Sequence, residues 1–301
     1  MLIDCPLICL QERQYHNKAI DYFYQALKAL KRPSTHPQVW NLVTEDLASA
    51  SLTFASLLQE HLIGSTMAET DEFRIVELLG SALKHYEERL KTCDGADVQR
   101  VHCRIASVHH RMGKVHLASM HAGRPRLGTG VQLLKLAGRH LSKAASILSQ
   151  YDSDDSDTSA VAVLLDLLVL LVPLDGSQNS NVKNLEGALY ALVTARPLLR
   201  RIASRPASTE PGDNMASLEQ LKRHLSIVLR ELVRSESAAA ATSASTSKPT
   251  ASVFKDLYQA CLKNAQVTHT SAAHLAGSIA DILEATASSP IVTRLQPVSF
   301  A

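Results

Sequence analysis

The sequence predicts an all-α fold built from antiparallel helix pairs, and three observations predict it. Only 12 glycines and 11 prolines interrupt 301 residues, which leaves long stretches free of helix breakers. Alanine and leucine recur at spacings of three and four, the period of one helix face. No segment shows the strict alternation of a half-buried strand, and aromatic residues are only 4% of the chain.

The elements follow in order. In "NKAIDYFYQALKAL" one face carries Ala19, Ile20, Phe23, Ala26, Leu27 and Leu30, and Pro33 stops the helix. A second helix, "QVWNLVTEDLASASLTFASLLQEHL", opens just after Pro37. The third, "TDEFRIVELLGSALKHYEERLKTCDG", is expected to begin with Thr70 as N-cap and to end before Gly95. The fourth is "VQRVHCRIASVHHRMGKVHLASMHAGRPR", the fifth "GVQLLKLAGRHLSKAASILSQY". An acidic loop, "YDSDDSDTS" at 151–159, leads into the most apolar run, "AVAVLLDLLVLLVPL" at 160–174. That run falls short of the roughly 20 residues a membrane span needs and carries Asp166, so it reads as a buried core helix. "VKNLEGALYALVTARPLLRRIA" reads as one helix with Pro197 near its end, followed by "NMASLEQLKRHLSIVLRELVRS".

Composition then sets the domain boundaries. Residues 1–13 read as an irregular N-terminus without the basic flank of a secretory signal, and 14–234 as one helical domain. Residues 235–252, "SESAAAATSASTSKPTAS", lack packing side chains and are expected to be a flexible linker. Residues 253–287 read as a C-terminal helix or bent pair packing on the domain, and 288–301 as a disordered tail.

Net charge is +2, from 31 basic and 29 acidic side chains, too small for an overall field that would hold phosphate backbones or a membrane. Five scattered cysteines, Cys5, Cys9, Cys93, Cys103 and Cys261, form no C-x-x-C pair and fit unbridged thiols in a reducing compartment.

Helix pairs on short connections suggest an α-solenoid, and the tetratricopeptide pattern tests this. Its second-helix half, A-x3-[FL]-x2-A, occurs at Ala19, Phe23, Ala26 and again at Ala137, Leu141, Ala144. Its first-helix half is degenerate. Trp40, Val43 and Leu47 fit with Thr44 at the glycine site, and Met112-Gly113 fits with His109 and His116 at the ring positions. Gly113 and Ala137 are 24 residues apart where the pattern has about 12, so "SMHAGRPRLGTG" is expected to be an inserted loop.

Five of the 13 histidines, His102, His109, His110, His116 and His121, lie in the fourth helix. A spacing of seven separates His102, His109 and His116 by about 10 Å at roughly 1.5 Å per residue, so they cannot share one metal ion. Packing at a helix interface is the expectation, with a pH-sensitive contact as the alternative. In the acidic loop, Ser153 and Ser156 are candidates for acid-directed phosphorylation, against a plain solvated loop. Arg196, Arg200, Arg201 and Arg205 are explained by the helix dipole and open carbonyls, with a phosphate or acidic-peptide contact as the sharper alternative. There is no nucleophile elbow, phosphate-binding glycine loop, H-E-x-x-H or nucleic-acid-binding finger pattern. No catalytic, cofactor-binding or metal-binding residue is therefore assigned, and the expectation is a non-enzymatic module whose partner-binding residues are unknown.

Three segments carry a family likeness: "AIDYFYQALKALKRPSTHPQVWNLVTEDLASASLTFASLLQE", "RIASVHHRMGKVHLASMHAG" and "SQNSNVKNLEGALYALVTARPLL". Across most of residues 15–234 the chain resembles the C-terminal, tetratricopeptide-containing region of the erythroid differentiation-related factor 1 family. Its most specific pieces are His36, Pro37 and Trp40, then His109, His110 and Arg111, then Ser177 to Val182. The resemblance implies a tetratricopeptide-like fold and a nuclear protein tied to globin-gene activation and erythroid differentiation, acting through protein contacts. Family members are much longer, so it also implies that this chain corresponds to a C-terminal portion. The alternatives are an architectural scaffold segment and a weak nucleic-acid contact through the arginines at 196–205.

Overall fold

The computed structural model describes residues 6–61, 69–122, 128–172, 182–205, 214–242, 248–265, 271–287 and 295. Among these the fold is all-α, with eleven helices and no strand: α1 (Pro6–Leu30), α2 (Pro37–His61), α3 (Glu69–Leu90), α4 (Ala96–His121), α5 (Gly130–Leu148), α6 (Asp154–Leu171), α7 (Val182–Thr194), α8 (Arg196–Ser204), α9 (Asn214–Thr242), α10 (Lys248–Ala265) and α11 (Ala272–Ala287). None of the described helices is long and apolar enough to cross a membrane.

The chain divides into two compact units, Met1–Ile147 and Leu148–Ala301, where the sequence suggested one domain over 14–234. In the first unit α1 packs on α2, α2 on α3 and α3 on α4. Its core joins Leu47, Phe54 and Leu58 of α2 to Ile75, Leu79 and Tyr86 of α3 and to Val101, Ile105, Val108 and Met112 of α4. The expected face of α1 is the buried one: Ile20 is in this core, and Phe23 and Leu27 pack against it. Helix α1 ends at Leu30 with Lys31 in the left-handed region at φ 60°, two residues before Pro33. Pro37 takes the first turn of α2, where its missing N–H costs nothing, and the His36 carbonyl accepts from Trp40 N at 2.9 Å.

In the second unit α6, α7 and α9 pack together, α11 lies against α8, α9 and α7, and α10 lies against α9. The apolar run is core, with Val161, Leu164 and Leu168 of α6 all buried. One helix was expected across Pro197, but the chain breaks at Ala195 and starts α8, with Pro197 in its first turn. Proline cannot donate to the carbonyl four residues back, and Arg196 Nε donates to that Val193 carbonyl instead, at 2.9 Å.

Other boundaries differ from the sequence reading. Helix α1 covers residues 6–13 because nothing between Pro6 and Leu30 breaks it. Helix α3 begins at Glu69, placing Thr70 inside the first turn, a shift of the size helix ends ordinarily show. Gly95, at φ 57°, is the N-cap of α4, a conformation that suits glycine. Helix α9 runs to Thr242 and α10 starts at Lys248, so the described residues of the expected linker are helix, with alanines that are strong helix formers, and 243–247 lie outside the described residues. Part of the expected insertion is also helix, since α4 continues to His121. The 253–287 segment is divided between α10 and α11, and α11 lies against α8. The tail at 288–301 lies outside the described residues apart from Leu295, as do all of Ser177 to Val182 but Val182. Cys93, Cys103 and Cys261 carry no disulfide; Cys5 and the side chain of Cys9 lie outside the described residues.

Candidate functional site

The histidine-rich helix α4 uses its faces differently. Val101, Ile105, Val108 and Met112 enter the core shared with α2 and α3. His109, Gly113 and His116, at i, i+4 and i+7, form a second stripe that meets α5. His109 and His116 are 3% and 6% exposed. An ideal Cβ on Gly113 would lie 2.8 Å from Leu141 Cγ and 3.5 Å from the Ala137 carbonyl oxygen. The pairing expected from the tetratricopeptide pattern is therefore present: the glycine of the first helix meets the alanine and leucine of the second, 24 residues on.

The facing helix supplies a third ring that sequence reasoning missed. His140 of α5 places Nδ1 2.8 Å from His109 Nδ1, with ring centroids 5.1 Å apart and tilted by 38°. It also stacks on His116, at 5.7 Å and 28°. Its signal was its place beside Leu141 in the second-helix pattern, but only the facing of α5 and α4 makes three histidines one cluster. His102 and His110 are half-buried and His121 is exposed.

Electrostatics keeps this cluster neutral. Burial pushes His109 down to about 4, helped by His140 and Lys143. Burial likewise pushes His140 to about 4, helped by His116 and Lys143, and burial lowers His116. In the His109–His140 contact one Nδ1 carries the hydrogen and the other the lone pair. His109 Nε2 and His116 Nδ1 are buried without a hydrogen-bond partner. Among the described residues no three His, Cys, Asp or Glu side chains converge as metal ligands would. Arg111, next to His110, ties α4 to α2: Gln59 Nε2 donates to its carbonyl at 3.1 Å, and its guanidinium stands 3.6 Å from Glu60.

The acidic segment and the arginine cluster, read separately in sequence, are one structure in the second unit. The segment is not a solvated loop. Ser153 caps α6 by accepting from Ser156 N at 3.2 Å, and Ser156, 3% exposed, donates to the Leu148 carbonyl at 3.3 Å. Asp157, 1% exposed, accepts from Arg201 Nη2 at 2.8 Å and forms an ion pair with Arg205, whose Nη2 stands 2.7 Å from Oδ2. Asp152 adds a second carboxylate, 3.4 Å from Arg205. On the other side of α8, Arg196 pairs with Glu284 at 3.0 Å and Arg200 with Asp281 at 2.8 Å, both on α11. All four arginines therefore have intramolecular carboxylate partners.

The fold and these seams define an all-α helical-repeat protein of the tetratricopeptide kind. The chain belongs to the family described as erythroid differentiation-related factor 1-like, TPR repeats, which it matches over residues 7–289. It is 32% identical over 194 residues to erythroid differentiation-related factor 1 of Mus musculus, of Pongo abelii and of Homo sapiens. Each match covers 61% of this chain and 15% of the relative. No solved structure matches the chain.

Proposed function

We propose that this chain is a non-enzymatic, protein-binding helical-repeat module of a nuclear transcriptional regulator, related to the factors of erythroid differentiation it resembles. The observation that carries this reading is the family match across residues 7–289, because tetratricopeptide repeats generally serve protein recognition. Supporting it, α4 and α5 meet as a repeat pair at Gly113 and Leu141. The four arginines best suited to a phosphate backbone are engaged by Asp152, Asp157, Asp281 and Glu284, which weighs against the nucleic-acid alternative. The test is affinity capture from nuclear extract with the full chain, beside imaging of a fluorescent fusion in cells. Specific recovery of transcription-related proteins and a nuclear signal are expected. Recovery of no specific partner, or exclusion from the nucleus, contradicts the reading.

A second reading is an architectural segment within a longer polypeptide. It is favoured by one observation, that the matches span 15% of the relatives' length. A chain that melts cooperatively by itself and still captures a partner favours the binding module over the scaffold.

A further inference from the structure

We propose that the histidine cluster between α4 and α5 is an acid-operated release: protonation of His109, His116 and His140 parts α5 from α4 while α1 to α4 stay folded. Three features of the fold carry this. The three rings form one contact group, with His140 touching both partners from the opposite helix. The same stripe holds a close α4–α5 approach, at Gly113 and Leu141, so the rings flank a tight contact of the pair. The core that joins α2, α3 and α4 takes the partly buried Ile147 from α5, while Leu133, Ala137, Leu141 and Ala144 of α5 are buried outside that cluster, so α5 can part from α4 without dismantling it.

The chemistry of the contact is directional. With one proton added, one Nδ1 of the His109–His140 pair still donates and the other still accepts. With both rings protonated, two N–H groups confront each other across the 2.8 Å contact, and that hydrogen bond is lost. Water would solvate those charges only if the seam opens.

The surrounding charges oppose protonation in the closed state. Lys143 of α5 acts on both His109 and His140, and Glu87 of α3 stands 3.9 Å from its Nζ. Arg139 of α5 and Arg111 and Lys114 of α4 flank the rings in sequence, and Glu60 of α2 stands 3.6 Å from Arg111. Closed rings that titrate near 4 and open rings that titrate near 6.5 bias opening by on the order of tenfold or more per ring between about pH 7 and about pH 5.

The test is hydrogen exchange of the full chain, corrected for intrinsic rates, comparing residues 130–148 with residues 69–90 at about pH 7 and about pH 5. Protection of α5 is expected to fall at least about tenfold further than that of α3, and His140→Phe is expected to shrink the difference. Equal loss in both helices overturns the proposal, as does an undiminished α5 loss in a folded His140→Phe chain. If that variant does not fold, the imidazole NMR titration of the unmodified chain decides: midpoints well below 6 for His109 and His140 support the release, and midpoints near 6.5 overturn it.

Discussion

Arg201 Nη2 stands 2.8 Å from Asp157 Oδ1, and Arg205 Nη2 stands 2.7 Å from the other oxygen of the same carboxylate. One aspartate at the start of α6, 1% exposed, thus fixes the last turn of α8 through two guanidiniums that remain partly in water. The two sides of this contact are unequal. Arg201→Ala with Arg205→Ala strands a buried charge and is expected to cost about 3–5 kcal/mol. Asp157→Asn leaves the arginines with Asp152 and solvent and is expected to cost about 1–2 kcal/mol. Urea unfolding of the variants measures the order; the reverse order would mean that the carboxylate is not the group needing compensation.

The same pairing bears on nucleic acid. Filter binding of the chain to duplex and single-stranded probes across a salt series is expected to show no tight, steeply salt-dependent complex. The Arg196–Glu284 and Arg200–Asp281 pairs are partly exposed and individually worth under about 1 kcal/mol, so Arg200→Ala is expected to leave stability nearly unchanged.

Two glycines in helix interiors give opposite expectations. Gly80 of α3 has nothing within 4 Å of an added Cβ, so Gly80→Ala is expected to stabilise by about 0.5–1 kcal/mol through helix propensity. Gly113→Ala gains the same propensity but drives a methyl to 2.8 Å from Cγ of the fully buried Leu141. Overpacking costs about 1–3 kcal/mol, so net destabilisation is expected in thermal melts. A stabilised Gly113→Ala chain would show that α4 and α5 are not in close contact.

Ser153 and Ser156 separate in the same manner. Ser153→Ala removes the N-cap of α6 and is expected to cost about 1 kcal/mol, whereas Ser153→Asp preserves a capping oxygen and is expected to be tolerated. Ser156→Asp places a charge at a site 3% exposed and is expected to destabilise the chain more than either. Of these two serines, acid-directed phosphorylation in the folded chain is therefore expected at Ser153, a point phosphopeptide mapping of folded and unfolded protein checks.

His109→Phe is expected to stay within about 1 kcal/mol of the parent at neutral pH, because it trades one hydrogen bond for removal of the unpartnered Nε2. His109→Asp, a carboxylate among buried neutral rings, is expected to lose about 3 kcal/mol or more. The pH dependence follows from the direction of the shifts. Folded His109 and His140 titrate near 4 against an ordinary 6.5, so the unfolded chain takes up protons first as pH falls. Stability is flat above about 6.5, declines between about 6.5 and 4, and levels off below; His109→Phe flattens part of that decline. Chemical denaturation at several pH values measures it, and a parent chain with no decline in that window contradicts neutral burial of the rings.

Much of the fold was legible locally. Helix period, proline at 37 and the buried face of α1 are properties of neighbouring residues, so sequence sufficed for them. The spacing of seven on α4 also settled that His102, His109 and His116 do not share one ion. The A-x3-[FL]-x2-A pattern located Ala137 and Leu141, which meet Gly113 across the seam. Helix ends were less legible, because Pro197 opens a helix or closes one depending on what satisfies the Val193 carbonyl, here the Arg196 side chain.

By itself, then, the sequence determined an all-α chain, the family likeness and the packing role of His109 and His116. Only the tertiary structure decided that His140 completes their cluster, that Asp157 neutralises Arg201 and Arg205, and that the acidic stretch is a capped helix start. The physical reason is range. Propensity and periodicity act within a few residues, whereas burial and ion pairing join groups 31 residues apart, as with His109 and His140, or 44 apart, as with Asp157 and Arg201. A charge or imidazole has no fixed meaning until the facing helix sets its solvent and its partner.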